Sequence, residues 1–205
     1  MPDIRAVVFD FGGVVFDWSA EYLYRELIPD ETQRKWFLSE VCTPAWNLQQ
    51  DGGRTVADAE AELIAKHPDH ADLIKAFYGQ WPKTLRGVLQ DGVDLVEQLH
   101  AAGVPLYGLT NWSAETFPYV EARYDFLKRF RHIVVSGRIK MLKPEARIYA
   151  HLMQQIGGKP EDSVFIDDAL HNVEGARKFG MHAIHHRPGG ALETAAELRK
   201  MGVKF

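Results

Sequence analysis

Four short polar clusters in this 205-residue chain carry residue types that could do chemistry together. They are Asp10 with the following Phe11-Gly12-Gly13, Thr110-Asn111, Lys143-Pro144 and Asp167-Asp168. Carboxylates suit Mg²⁺, which takes one or two of them and keeps several waters. Thr110, the amide of Asn111 and the Lys143 ammonium can hold phosphoryl oxygens through hydrogen bonds and charge. The combination therefore suits a magnesium ion plus a phosphate group. Asp10 leads the candidates, because an apolar run ends at its carboxylate and two glycines follow, where backbone can approach a ligand closely.

Such groups act together only if the chain brings them to one place. The run 4–10 has the pattern of a buried strand. Helical spacing follows at 20–28, 31–42, 55–66 and 70–78, with Pro29, Pro44, Gly52-Gly53 and Pro68 as breaks. Asp30 ahead of Gln33 and Thr55 ahead of Asp58 have capping spacing. Trp36, Phe37, Phe77, Tyr78 and Trp81 are expected to fill a small core of this helical section, with Trp46, in the break near Pro44, as the exception. From Gly92 the pattern alternates: helix 93–102, strand 104–109, helix 113–124, strand 132–135, helix 145–156, strand 164–166, helix 173–179 and strand 182–185. That alternation predicts an α/β fold whose parallel strands carry helices on both faces. In such a sheet ligands bind at the carboxyl ends of the strands, which is where the four clusters fall.

Composition narrows the function classes. With 46% hydrophobic and 25% charged residues the chain is expected to bury about 70% of its unfolded surface. A formal charge of −4 and the absence of a basic run give no footprint for nucleic acid. No apolar stretch approaches the roughly 20 residues needed to span a bilayer. One cysteine, Cys42, excludes an internal disulfide, and the chain opens on a strand, so cytoplasmic residence is expected. The expected partner is a small-molecule substrate, handled by a monomer or homodimer.

The four motifs, in this order at successive strand ends, resemble the haloacid dehalogenase superfamily of aspartate-nucleophile hydrolases. The runs Lys143-Pro144-Glu145-Ala146-Arg147-Ile148-Tyr149 and Asp167-Asp168 through Asn172-Val173-Glu174-Gly175-Ala176 look closest to the branch of glucose-1-phosphate phosphatases and the phosphatase domain of soluble epoxide hydrolases. The resemblance implies a Rossmann-like three-layer core over 1–16 and 87–205, with a helical cap at 17–86. It implies that Asp10 attacks the substrate and forms a covalent intermediate. It also implies that Asp10, the Gly12 carbonyl and Asp168 bind Mg²⁺, with Asp167 beside them, and that Thr110 and Asn111 hold the transferring group. Lys143 would offset the crowding of the carboxylates.

One position departs from that pattern. Most phosphatases of the superfamily carry a second aspartate two residues after the nucleophile as general acid and base, and this chain has Gly12. A contribution of about 10²- to 10⁴-fold is then missing or supplied elsewhere. Losing the acid matters least for a leaving group that needs no proton, such as halide, or needs it less, such as a sugar 1-phosphate. Three readings follow: a Mg²⁺-dependent phosphatase, a hydrolytic 2-haloacid dehalogenase, and a binding protein that kept the fold without the activity. The acidic pair Asp167-Asp168 favours the phosphatase, since the dehalogenases carry small polar residues there and an arginine early in the cap. Arg25, Arg34 and Arg54 match no such motif. Asp17 is the nearest alternative acid, although a solvated position at the cap hinge suits it better. Trp46 and Asn47 are expected to overhang the site and set substrate choice. His182, His185 and His186 lack a carboxylate partner nearby and are read as structural.

Overall fold

The apolar run that ends at Asp10 forms the middle of the sheet. A computed structural model of the chain describes residues 3–205. Strand β1 (Ala6–Phe9) leads through a glycine turn into β2 (Phe16–Trp18). Five helices follow: α1 (Ala20–Leu27), α2 (Glu31–Trp36), α3 (Pro44–Asp51), α4 (Val56–Lys66) and α5 (Ala71–Gly79). Strand β3 (Leu85–Val88) then returns to pair antiparallel with β2. The alternating part runs α6 (Gln90–Ala101), β4 (Leu106–Thr110), α7 (Phe117–Glu121), β5 (His132–Val135), α8 (Ser136–Ile139), α9 (Ala146–Ile156), β6 (Ser163–Asp167), α10 (Leu170–Phe179), β7 (His182–His185) and α11 (Ala191–Lys200).

The five strands of the main sheet are parallel, in the order β5-β4-β1-β6-β7. Every residue of β1, β4 and β6 is buried, which is why these strands are near-continuous apolar runs. Side chains alternate between the two faces. Val7 and Phe9 pack with Leu95 and Leu99 of α6 and Leu198 of α11. Ala6 and Val8 pack with Ile148 and Leu152 of α9 and Val173 of α10. The result is the Rossmann-like three-layer core with an inserted helical section. The chain proceeds from β1 to β4 and β5 on one side, then crosses back to β6 and β7 on the other, so the carboxyl ends of β4, β1 and β6 flank one crevice.

The helical section holds its own core around Tyr24, Phe37, Trp46, Leu63, Ile74 and Phe77. Asp30 and Thr55 cap as their spacing predicts, accepting from Gln33 N at 2.8 Å and Asp58 N at 3.1 Å. The β2–β3 ribbon joins this section to the sheet, so the junction is a pair of hydrogen-bonded strands rather than two loose linkers.

Several expectations are corrected. The break near Pro44 is a helix, α3, because Thr43 caps it through Trp46 N at 3.0 Å and proline is compatible with a first helical turn. The helix expected over 31–42 stops at Trp36 and continues as a π-turn, Phe37–Val41. Trp36 is 47% exposed rather than in a core, and Trp81 packs into the main core. The strands β2 and β3, too short to carry a periodic pattern, and the helices α8 and α11 were not anticipated.

One backbone position ties the turn after Asp10 to the far end of the sequence. Gly13 has φ +70, and a Cβ there would run into the Asp168 carboxylate. Gly13→Ala is expected to lower stability in urea unfolding by about 1–2 kcal/mol from the left-handed backbone alone, with further loss from displacing Asp168.

Candidate functional site

Parallel pairing sets the first distance in the site. Phe9 lies opposite Ile166, and Asp10 N donates to Ile166 O at 2.8 Å, so Asp10 and Asp167 leave adjacent strands side by side. Asn111, just past β4, fixes the third participant. Its Oδ1 accepts from Lys143 N at 2.9 Å and its Nδ2 donates to Lys143 O at 3.1 Å. The Lys143 side chain, 3% exposed as a residue, reaches between the two carboxylates. Its Nζ stands 2.8 Å from Asp10 Oδ1 and 2.7 Å from Asp167 Oδ2. On the opposite flank Gly175 of α10 has no room for a Cβ against Pro144, so that helix packs directly on the lysine's turn.

The carboxylates differ in what remains free. Asp167 is saturated: Ala169 N donates to Oδ1 at 2.8 Å, and Asn172 Nδ2 donates to both oxygens at 3.1 Å. Asp10 Oδ1 receives Phe11 N at 2.7 Å as well as Lys143. No donor among the described residues is bonded to Asp10 Oδ2, and the Asp168 carboxylate receives only its own backbone N–H. The structure thus presents one fixed and one free oxygen on Asp10, next to a largely free carboxylate on Asp168.

Burial and like charge act on these groups. Burial pushes Asp10 up to about 8; Lys143 opposes the rise, while Asp167 and Asp168 add to it. Burial also raises Asp168, and Asp167 adds to it. For Lys143 burial acts downward, but the pairs with Asp10 and Asp167 outweigh it and raise the ammonium, which stays charged. Three carboxylates against one ammonium leave an excess of negative charge, which a divalent cation would relieve. Oxygens of Asp10, Asp167 and Asp168 lie within 4.8 Å of one another. Two of these residues offer free oxygens, and an all-oxygen donor set fits Mg²⁺ rather than a softer metal.

Above this floor lies a cleft of roughly 490 Å³ that Asp10, Gly12, Thr110 and Asn111 share with the inserted section. Asn47, Asp51 and Tyr78 come down from that section, and Trp18, Trp81 and Trp112 form aromatic walls. Asn47 lines the cleft, and its amide is engaged. It donates to Asp51 Oδ2 at 3.1 Å and accepts from Tyr78 Oη at 2.8 Å. Trp46 does not line the cleft: it packs against Phe77 and Tyr78 in the cap core, because α3 turns it inward. The side-chain amide of Asn111 is spent on the Lys143 backbone. Asp17 is tied to Tyr22 Oη at 2.6 Å, outside the cleft. Among the described residues no arginine lines it; the guanidinium of Arg34 is bound to Glu21 and Ile28 O instead. His186 pairs with Thr194 and His185 with the Asp168 carbonyl, and neither belongs to the acidic cluster.

Asp51 was missed by sequence reasoning, although a signal existed: it stands immediately before a glycine pair, as Asp10 stands one residue before another. It ends α3, where the helix dipole disfavours a negative charge. Burial raises its carboxyl to about 7, against a hydrogen bond from the Ser113 backbone and the attraction of Lys143. The cap is held shut at this point. Ser136 Oγ donates to Asp51 O at 2.5 Å, and Val56 N donates to Glu115 Oε1 at 2.8 Å.

With this geometry in view, comparison with known proteins is specific. The profile of haloacid dehalogenase-like hydrolases matches residues 4–180. The chain is 26% identical to the sesquiterpene phosphatase astK of Aspergillus oryzae over 96% of each protein. It is 24% identical to an (S)-2-haloacid dehalogenase of Pseudomonas putida, covering 94% of this chain and 89% of that one. Some other relatives are longer proteins, of which the chain spans about a third or less. Among solved structures, the enzyme bt-2542 of Bacteroides thetaiotaomicron, determined with magnesium and inorganic phosphate, superposes with a TM-score of 0.71. It shares 21% identity over 91% of this chain and 95% of that one, a likeness that establishes the fold.

The buried triad makes a stability prediction. Lys143→Met would leave Asp10 and Asp167 buried without their cation, a change that costs about 3–5 kcal/mol. Urea unfolding of both proteins measures it.

Proposed function

For a chain that belongs to the haloacid dehalogenase-like hydrolases, we propose a Mg²⁺-dependent phosphatase that acts through an aspartyl-phosphate on Asp10. The observation that carries this reading is the division of labour on Asp10, whose Oδ1 is held by Lys143 and Phe11 N while Oδ2 stands free. Held in this way, the carboxylate has one oxygen to orient it and one to attack. Oδ2 forms a bond to phosphorus as the bond from phosphorus to the ester oxygen breaks. Water then hydrolyses the acyl phosphate, releasing inorganic phosphate and restoring the carboxylate.

Lys143 works against the burial that raises Asp10, and Asp167, saturated by Asn172 and Ala169, positions Lys143 rather than reaching for a ligand. Asp10, the Gly12 carbonyl and Asp168 would hold Mg²⁺, which when bound neutralises phosphoryl charge and lowers the Asp10 pKa. Thr110, buried at the end of β4, and the backbone at Asn111 would hold the phosphoryl oxygens. The aromatic walls suit a small phosphate ester whose organic part has a flat apolar face, such as a sugar ring or a terpenoid. A near full-length relative named as a sesquiterpene phosphatase agrees with that. Within the family we place the chain near the branch of glucose-1-phosphate phosphatases and the phosphatase domain of soluble epoxide hydrolases, on the runs Lys143 to Tyr149 and Asp167 to Ala176.

The dehalogenase reading has a relative in its favour. Against it stand the largely free carboxylate of Asp168 beside the nucleophile and a cleft with no arginine among the described residues to receive halide. Hydrolysis of 4-nitrophenyl phosphate with Mg²⁺ is expected to fall to background in EDTA and to drop at least ~10³-fold in Asp10→Asn. Halide release from a 2-haloacid that persists in EDTA would overturn the phosphatase.

A further inference from the structure

Gly12 brings no proton donor to the cleft, yet an alkyl ester needs one. Among the described residues, three titratable side chains line the cleft: Asp10, Asp51 and Tyr78. Asp10 is committed to attack. Tyr78 gives its hydroxyl proton to Asn47, and burial raises its phenol far above the ordinary range. Asp51 remains, on the cap side, facing the sheet-borne Asp10 across the space where a substrate would lie.

Resting on the phosphatase reading, we propose that Asp51, carried into the cleft by the cap, is the general acid that protonates the leaving oxygen, in place of the aspartate absent at position 12. As Asp10 Oδ2 bonds to phosphorus, the electron pair of the breaking P–O bond goes to the ester oxygen. That oxygen takes the proton of the Asp51 carboxyl. An alcohol leaves, with an aspartyl-phosphate on Asp10 and a carboxylate on Asp51.

The geometry supports this assignment on three counts. Asp51 is held from both sides of the cleft. Asn47 Nδ2 donates to its Oδ2 from the cap, and Ser136 of the sheet domain donates to its carbonyl oxygen. The donor is therefore fixed jointly by the inserted section and the sheet domain. Its surroundings also poise it near neutrality, through burial and the end of α3, against the Ser113 N–H and Lys143. The charged or titratable groups that face it are Lys143 and Asp10 from the floor and Tyr78 from α5. Finally, the approach from the cap leaves position 12 free to be glycine, where a Cβ would meet nothing within 4 Å. The absence of a side chain at Gly12 is therefore not a steric requirement of the fold.

The test compares kcat/KM, which reports the step that expels the leaving group, on a simple alkyl phosphate and on 2,4-dinitrophenyl phosphate, whose leaving group needs no proton. Asp51→Asn is expected to lose about 10²- to 10³-fold on the alkyl ester and less than about 10-fold on the aryl ester. The wild type should lose alkyl activity as pH rises through about 7, where the Asp51 proton departs, and the variant should lack that limb. A merely structural role would lower both substrates alike. Equal losses, or an alkaline limb that survives in Asp51→Asn, would overturn the assignment. The wild-type leaving-group dependence needs no variant: a shallow slope of kcat/KM against leaving-group pKa is expected, and a steep one contradicts it. A wild type that hydrolyses neither ester with Mg²⁺ overturns the phosphatase reading and this assignment together.

Discussion

The buried contact of Lys143 with Asp10 and Asp167 is the constraint on which the rest of the structure depends. An ammonium out of water is tolerated only if it is paired and hydrogen-bonded, and so are the two carboxylates it meets. Each surrounding feature serves that requirement. Asn111 grips the lysine backbone from β4, Gly175 lets α10 close on Pro144, and Asn172 with Ala169 fills the remaining acceptors of Asp167. Pieces of chain more than 150 residues apart are locked at one point, through parallel pairing of β1 with β6. The arrangement is costly in isolation, because Asp10 stays well above its ordinary pKa even with its cation beside it. Strain of this kind is characteristic of a site where charge is prepared for chemistry.

Two halves of the molecule divide the work. The sheet domain supplies an oriented carboxylate, a fixed cation and free oxygens on one rigid floor. The inserted section supplies the aromatic and amide surroundings together with Asp51, and it docks through Ser136 and Glu115. The two-stranded β2–β3 ribbon connects them, and Trp18 at the end of β2 lines the cleft.

Much of this was legible in the sequence. Continuous apolar runs ending in carboxylates marked β1 and β6, and alternation with helical spacing marked the parallel sheet. The ends of those strands then located Asp10, Thr110, Asn111, Lys143, Asp167 and Asp168. What escaped has physical reasons. β2 and β3 are too short for a period to register, and α3 hid behind a proline that terminates some helices and starts others. Trp46 and Asn47 are adjacent, but a helix sends neighbours in different directions, so one entered the cap core and the other the cleft. The role of Asn111 as a clamp on Lys143, and the position of Asp51 over the floor, are tertiary facts that no local pattern encodes. Only the glycine pair after Asp51, a repeat of the pair after Asp10, hinted at the second.

The central claim, that Asp10 is the residue that takes the phosphoryl group, is tested most directly by trapping the intermediate. The protein would be quenched in acid during turnover of a phosphate ester with Mg²⁺, reduced with borohydride and mapped by mass spectrometry. The account predicts homoserine at position 10 and nowhere else, dependent on both ester and Mg²⁺. An unmodified Asp10 in a protein that is turning over substrate would contradict it, as would a trapped group on any other residue.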